Sequence, residues 1–109
     1  MLVRNQSEAG TVTYDDAQGA EMRPVITKDD GAPGFAMRVF TLQPEGHTPY
    51  HSHAWEHEVY ILDGTGVVRS ADGERRVRAG DAVFVAPHEL HQFRAGAAGL
   101  RFICCAPHH

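Results

Sequence analysis

Positive charge is scarce in this chain compared with negative charge. Its 109 residues include 10 Lys and Arg against 14 Asp and Glu, a formal net charge of −4 with histidine neutral. Proteins that bind the phosphate backbone of nucleic acids need clustered cations. We therefore expect no nucleic acid partner.

Long apolar runs are also missing, and cysteines are few. No apolar run approaches the roughly 18 residues that a membrane-spanning helix requires, and the opening MLVRNQSEAG lacks the apolar core of a secretory signal. The two cysteines, Cys104 and Cys105, are adjacent. Neighbouring residues of a strand point to opposite faces, which argues against a disulfide between them and against a CxxC redox site. These features predict a soluble cytoplasmic protein with no membrane partner.

Helical periodicity is absent, and turn residues are frequent. The 11 Gly and 6 Pro separate short segments rich in β-branched and aromatic residues. Such segments at a spacing of about 8–12 residues are typical of an all-β sandwich or barrel. The expected strands are 35–42, 58–62, 67–70, 75–79, 82–86, 90–94 and 99–106, with a tight connection at 63–66.

Residues 1–33 differ from the rest of the chain because they are polar and rich in turn residues. Their one β-prone stretch is 24–27. We interpret residues 1–33 as an N-terminal arm that can supply an edge strand, and residues 34–109 as a single β-barrel domain.

Histidine, in contrast, is abundant, and it is informative because it is the commonest metal ligand in proteins. There are eight, and six lie between positions 47 and 91. In an extended chain, residues i, i+2 and i+6 share a face, which places His51, His53 and His57 together and Glu56 and Glu58 on the other side. The positions that continue the histidine face are apolar. The pattern therefore predicts a metal site against the barrel interior.

The other histidines divide into three groups. His91 follows a separate strand and is predicted to supply a fourth ligand from across the cavity. His47 and His88 lie on predicted turns and are expected to be exposed. His108 and His109 end the chain, where they are either native or the start of a purification tag, and we assign them no part in the site.

Two segments carry a family resemblance that covers about residues 35–107. Residues 46–64, GHTPYHSHAWEHEVYILDG, resemble the first cupin motif, and residues 80–91, ending in PHELH, resemble the second. Six residues separate His57 from Gly64, so His57 stands where the family usually has a metal-binding glutamate, and Glu58 is one position off. The resemblance implies an all-β fold, the double-stranded β-helix or jelly-roll cupin barrel. Within the family, the chain is similar to small single-domain cupins whose metal is held by four histidines, including a thermophilic manganese cupin.

This resemblance implies one divalent transition metal per chain, with Mn or Fe favoured and Zn, Ni, Co and Cu left open. Neutral imidazoles leave the full charge on the metal, unlike the carboxylates that Ca²⁺ prefers. The function favoured by the resemblance is an oxygen- or peroxide-dependent oxidase or dioxygenase acting on a small organic substrate. A redox-neutral metal-dependent isomerase, cyclase or lyase remains open, as does a non-catalytic metal-binding or ligand-binding cupin. No catalytic residue beyond the metal ligands is assigned.

Strand alternation also indicates residues that line the substrate pocket. On the last strand, the side chains of Phe102 and Cys104 point away from the face that carries Arg101, and we expect Cys104 to be a small buried apolar residue. Trp55 is expected at the barrel mouth or at a subunit contact, and Arg38 is expected to pair with Glu56 or Glu58. The predicted pocket residues are Phe93, Phe102, Cys104, Trp55 and Arg38.

A homodimer is the expected assembly, with a small-molecule substrate as the other partner. A small barrel has edge strands that need to be covered, and the arm could add a strand to a neighbouring copy.

Overall fold

Six antiparallel strands make up most of the protein in the computed structural model, which describes residues 1–109. They are β1 (Gln18–Ile26), β2 (Phe35–His47), β3 (His57–Ser70), β4 (Gly73–Arg78), β5 (Ala82–Val85) and β6 (His91–Pro107). The helical segments are two three-residue 3₁₀ turns, Gln6–Glu8 and Lys28–Asp30. None of the helical segments has the length and apolarity needed to cross a bilayer.

The strands are hydrogen-bonded in the order β1-β2-β6-β3-β4, with β5 paired to β3. The two longest strands, β3 and β6, contribute to both ends of the barrel. The first half of β6 pairs with the end of β3, where Ser70 is opposite His91. The second half of β6 lies between the start of β3 and β2, where Cys104 is opposite Val59 and Arg38. The predicted all-β jelly roll is confirmed.

The predicted tight connection at 63–66 was wrong, because β3 continues through it. The pairing of β3 with β6 shifts register between Ile61 and Asp63 and again between Gly64 and Gly66. Gly64 has φ 84°, a conformation that glycine adopts without steric cost. A Cβ on Gly66 would overlap the carbonyl oxygen of Arg94 on β6. Gly64 therefore allows a bend in β3, and Gly66 allows the backbones of β3 and β6 to cross closely.

The other long strand was also divided too finely by the sequence pattern. Segments 90–94 and 99–106 join into β6, which bends at Gly99 with φ 80°. In the arm, β1 is much longer than the stretch predicted at 24–27, and it pairs with β2 of its own chain. Within the arm, Arg4 donates to Val25 O at 2.7 Å and to the carboxylate of Asp30 at 2.9 Å, which ties the first residues of the chain to β1 and to the turn after it.

Alternation along β3 sorts its residues between the barrel interior and the outer face. His57, Val59 and Ile61 are buried, whereas Glu58 and Tyr60 are exposed. This agrees with the prediction that the apolar positions continue the histidine face. Deeper in the barrel, aromatic rings fill the space between strands.

Phe102 is at the centre of this aromatic packing. Its ring stacks on Phe40 with centroids 5.0 Å apart and on Phe93 with centroids 4.5 Å apart. All three rings belong to the hydrophobic core, and all three also line the cavity that the histidines share. The core therefore forms an apolar wall beside the imidazole cluster.

Candidate metal centre

Three histidines converge at one end of the barrel. The ring nitrogens that His51, His53 and His91 direct at one another all lie within 4.8 Å. His51 and His91 are joined by a pair of backbone hydrogen bonds, from His51 N to His91 O at 3.1 Å and from His91 N to His51 O at 2.9 Å. This bridge holds the segment before β3 against the start of β6. The side chains meet although residues 52–56 belong to no strand.

His57, at the start of β3, lies beside this cluster. It is 6% exposed, and its ring centroid is 4.7 Å from that of His53 and 5.3 Å from that of His91. Its Nε2 is 3.2 Å from Nδ1 of His53. The structure thus contains a three-histidine cluster with a fourth imidazole in contact, and metal ligation by His57 stays a prediction.

This prediction can be tested by comparing His57→Ala with Glu58→Ala. We expect His57→Ala to weaken retention of a divalent metal by roughly tenfold or more, because it removes a buried nitrogen donor at the cluster. Glu58→Ala should leave retention unchanged, since Glu58 is on the exposed face of β3. Chelator competition with elemental analysis measures both, and equal losses from the two variants would contradict the assignment of His57.

Three of the imidazoles at this site, those of His51, His53 and His57, are held in the neutral form that metal binding requires. Burial lowers the pKa of His51, with a further contribution from the charge of His91. Burial, followed by repulsion from neighbouring histidines, lowers the pKa of His53 to about 4. Burial, followed by the positive charge of Arg38, lowers the pKa of His57 to about 3. At neutral pH these rings therefore present lone pairs rather than charge.

Hydrogen bonds to the ring nitrogens that point away from the cluster indicate which nitrogen of each imidazole has a lone pair available for a metal. His91 Nδ1 lies 2.8 Å from Glu89 O, and donation to this carbonyl leaves the lone pair on Nε2. His57 Nδ1 is 3.2 Å from Arg38 Nη2 and 3.2 Å from Cys104 Sγ. Ligation through His57 Nε2 requires that Nδ1 carries the proton of the neutral ring. Because the Arg38 guanidinium can only donate, Nδ1 must then donate to Cys104. The thiol would then be the acceptor that orients this ring.

The donor set fits a divalent transition metal. Its members are imidazoles, and no carboxylate belongs to the cluster. Imidazole suits ions such as Zn, Cu, Fe and Ni, whereas Ca²⁺ and Mg²⁺ favour oxygen ligands. His51, His53 and His91 are therefore the residues that would hold the ion.

A cavity of about 420 Å³ opens beside the histidines. This volume suits a small organic molecule. The five residues predicted from the sequence to form the pocket all line it: Phe93, Phe102, Cys104, Trp55 and Arg38. The predicted pairing of Arg38 with Glu56 or Glu58 was wrong, because β2 directs the side chain inward and Nη2 donates to Cys104 Sγ at 3.1 Å.

Several lining residues were missed by the sequence analysis. Tyr14 and Asp16 reach the cavity from the arm, and His109 reaches it from the chain end. The His109 ring stacks on Trp55 with centroids 3.7 Å apart, and Trp55 stacks on His53 at 4.5 Å. No local pattern signals these contacts, since each joins segments far apart in the chain. Phe40 and Thr48 also line the cavity, and alternation from Arg38 along β2 could have identified Phe40.

The two histidines expected on exposed turns differ from each other. His88 is exposed, as predicted, and has φ 67°. His47 is half-buried at the end of β2, with Nδ1 3.0 Å from Thr48 O and 3.3 Å from Gln92 Nε2. Neither belongs to the cluster.

Comparison with known families identifies the fold family. The sequence model of the cupin domain family matches residues 38–105, which include all the histidines of the cluster and the neighbouring His57. The chain belongs to the cupin family. Among the curated proteins, none matches this cupin significantly.

Solved structures similar to this cupin include several enzymes. The polyketide cyclase RemF from Streptomyces resistomycificus is 32% identical with a TM-score of 0.90, and the alignment covers 98% of this chain and 79% of RemF. A predicted oxalate decarboxylase from Thermotoga maritima is 23% identical with a TM-score of 0.84, covering 97% of this chain and 98% of that one. Ectoine synthase from P. lautus is 21% identical with a TM-score of 0.79, covering 98% and 78%. The last two similarities concern the fold alone.

Proposed function

We propose that this cupin is a metal-dependent cyclase that closes a ring in a small polycarbonyl substrate without net oxidation. The observation that carries the proposal is the histidine cluster, which opens into an aromatic-walled cavity in a chain 32% identical to a polyketide cyclase. When bound, the metal would supply Lewis-acid polarisation of a substrate carbonyl.

The chain's own residues would bind and orient the substrate. The rings of Phe40, Phe93 and Phe102 form an apolar wall that favours a folded substrate and excludes water. Burial raises the pKa of the Tyr14 hydroxyl, which lines the same cavity. Tyr14 therefore keeps its proton at neutral pH and can donate a hydrogen bond to a substrate oxygen.

The proposed reaction balances without an oxidant. A methylene carbon loses a proton, and its electron pair forms a bond to a carbonyl carbon of the same molecule, whose oxygen takes up a proton and becomes a hydroxyl group. The former methylene carbon then loses its second proton to form a carbon–carbon double bond, while the hydroxyl group takes up a proton and leaves as water. The oxidase or dioxygenase function suggested by the sequence resemblance stays a prediction, and it differs from the cyclase in one measurable respect, the consumption of oxygen or peroxide.

A single assay separates these functions. Purified protein of known metal content is incubated with a linear aryl poly-β-ketone, while mass spectrometry follows the product and an electrode follows dissolved oxygen. We expect a cyclised product with the mass of the substrate less one water, formed without oxygen uptake and lost after His53→Ala. Turnover that consumes oxygen would overturn the cyclase in favour of the oxidase, and absence of turnover of the poly-β-ketone would contradict the cyclase for this substrate class.

We also propose the homodimer expected from the sequence. Tyr60 and Phe84 are 50% and 62% exposed on the outer face of β3 and β5, and a second copy of the chain would cover them. Light scattering should give twice the chain mass of 12.0 kDa, and Phe84→Asp should reduce it to the chain mass. Phe35→Asp, which changes an exposed ring on another strand, serves as the control. A wild-type monomer would contradict the dimer.

A further inference from the structure

Arg38 is the one lysine or arginine that lines the metal-site cavity. Its position on β2 is opposite Cys104 on β6, and its guanidinium carbon lies 5.5 Å from the centroid of the Phe40 ring. The side chain is half-buried. A permanent positive charge is therefore placed among apolar walls, next to the imidazole of His57.

No carboxylate neutralises this charge. The side-chain ion pairs of the structure are Arg4–Asp30 and Arg23–Glu21. Arg38 Nη2 approaches Cys104 Sγ and His57 Nδ1, Nε is buried without a partner, and Nη1 has no protein partner. A guanidinium carries five N–H donors and stays charged in proteins, and a desolvated charge without a partner is costly. The fold therefore keeps an unpaired cation at this position.

No buried residue of the cavity lining adds a negative charge that would compensate Arg38. Asp16 is the only acidic residue that lines it, and Asp16 is exposed. A bound divalent metal would make the interior still more positive. An anionic group on the substrate is the partner that this electrostatic environment favours.

We propose that the substrate carries a carboxylate bound by Arg38, next to the carbonyl that faces the histidine cluster. This inference rests on the proposed cyclase function and narrows its substrate to a polycarbonyl acid. The guanidinium touches the outer nitrogen of His57, and the opposite nitrogen of the same ring contacts His53. One imidazole ring thus separates the two binding positions, so the carboxylate and the reacting carbonyl belong to one short fragment. The planar fork of N–H donors of a guanidinium matches the two oxygens of a carboxylate. A phosphate is bulkier and doubly charged, and a single cation would suit it less well.

The test compares benzoate with benzamide, which has nearly the same shape and no charge. Titration calorimetry is run on the protein as purified and again after chelation of its metal. We expect benzoate to bind about tenfold more tightly than benzamide in both preparations, because charge-assisted hydrogen bonds are stronger than neutral ones. Arg38→Met should remove this preference, and Arg38→Lys should restore part of it. Arg94→Met, which changes an exposed arginine outside the cavity, should keep the preference.

Other outcomes would overturn the assignment of Arg38. They are equal binding of benzoate and benzamide, binding of neither, a preference that survives Arg38→Met, or a preference that disappears with the metal and so belongs to it. Thermal unfolding shows whether Arg38→Met is folded. If it is not, the benzoate preference of Arg38→Lys, compared with that of the wild type, tests the role of Arg38. The cyclase assay is independent, since absence of ring closure with an intact benzoate preference contradicts the proposed reaction and leaves the carboxylate site standing.

Discussion

Replacing His51 with alanine is expected to lower the affinity of this cupin for a divalent transition metal by more than about 100-fold. Loss of a partner that merely supports a ligand already costs roughly 10- to 100-fold, and loss of a ligand should exceed that. His51 is one of the three imidazoles whose nitrogens lie within 4.8 Å of one another. Its fold-supporting bonds to His91 come from the backbone and survive the substitution. Competition with a chromogenic chelator measures the affinity, and circular dichroism checks the fold.

The matched control is His88→Asn. His88 is exposed, and asparagine tolerates its φ of 67°. The cluster does not include His88, so the control should bind metal as the wild type does. If His51→Ala retained wild-type affinity, or if both variants lost metal equally, the three-histidine cluster would not be the metal site.

Gly66→Ala is expected to destabilise the protein by about 3 kcal/mol, the upper range for overpacking a tightly filled site. A Cβ at this position would overlap the carbonyl oxygen of Arg94 and come within 3.2 Å of Leu100 Cδ2. The obstacle is the backbone of β6, which pairs with β3 along most of its length and cannot rotate away as a side chain could. Urea denaturation followed by fluorescence of the single tryptophan measures the free energy of unfolding.

Gly34→Ala provides the comparison for this variant. An added Cβ at Gly34 meets no atom within 4 Å, and its φ lies outside the left-handed region. A Gly→Ala change at such a position should be neutral or slightly stabilising, because alanine has less freedom in the unfolded chain. Equal destabilisation by both substitutions would show that the crossing of β3 and β6 at Gly66 is not tightly packed.

The predicted ligands illustrate how far alternation along the chain can be used. Two-residue alternation placed His57 inside and Glu58 outside, and the structure confirms both. It also put His51 and His53 on the side of His57, and they meet there although no continuous strand joins them. The backbone bridge between His51 and His91 supplies the constraint that a strand was expected to supply.

Glycine was the less informative signal. At positions 63–66 the sequence pattern predicted a tight connection between two strands, whereas one strand continues with two shifts of register. A glycine shows that the backbone needs freedom or that another chain segment approaches closely. Which of these applies depends on β6, about 30 residues further along.

The sequence alone was enough to predict the strand-rich architecture, the meeting of the histidines at one position and the apolar character of the neighbouring wall. These follow from local backbone geometry, because alternation along an extended chain assigns each side chain to a face. The tertiary structure was needed to show that Arg38, a predicted pocket residue, meets Cys104, 66 positions away, rather than a glutamate, and that His109 stacks on Trp55. Such contacts depend on which strands pair and in what register, and that is settled by packing of the whole barrel rather than by any local pattern.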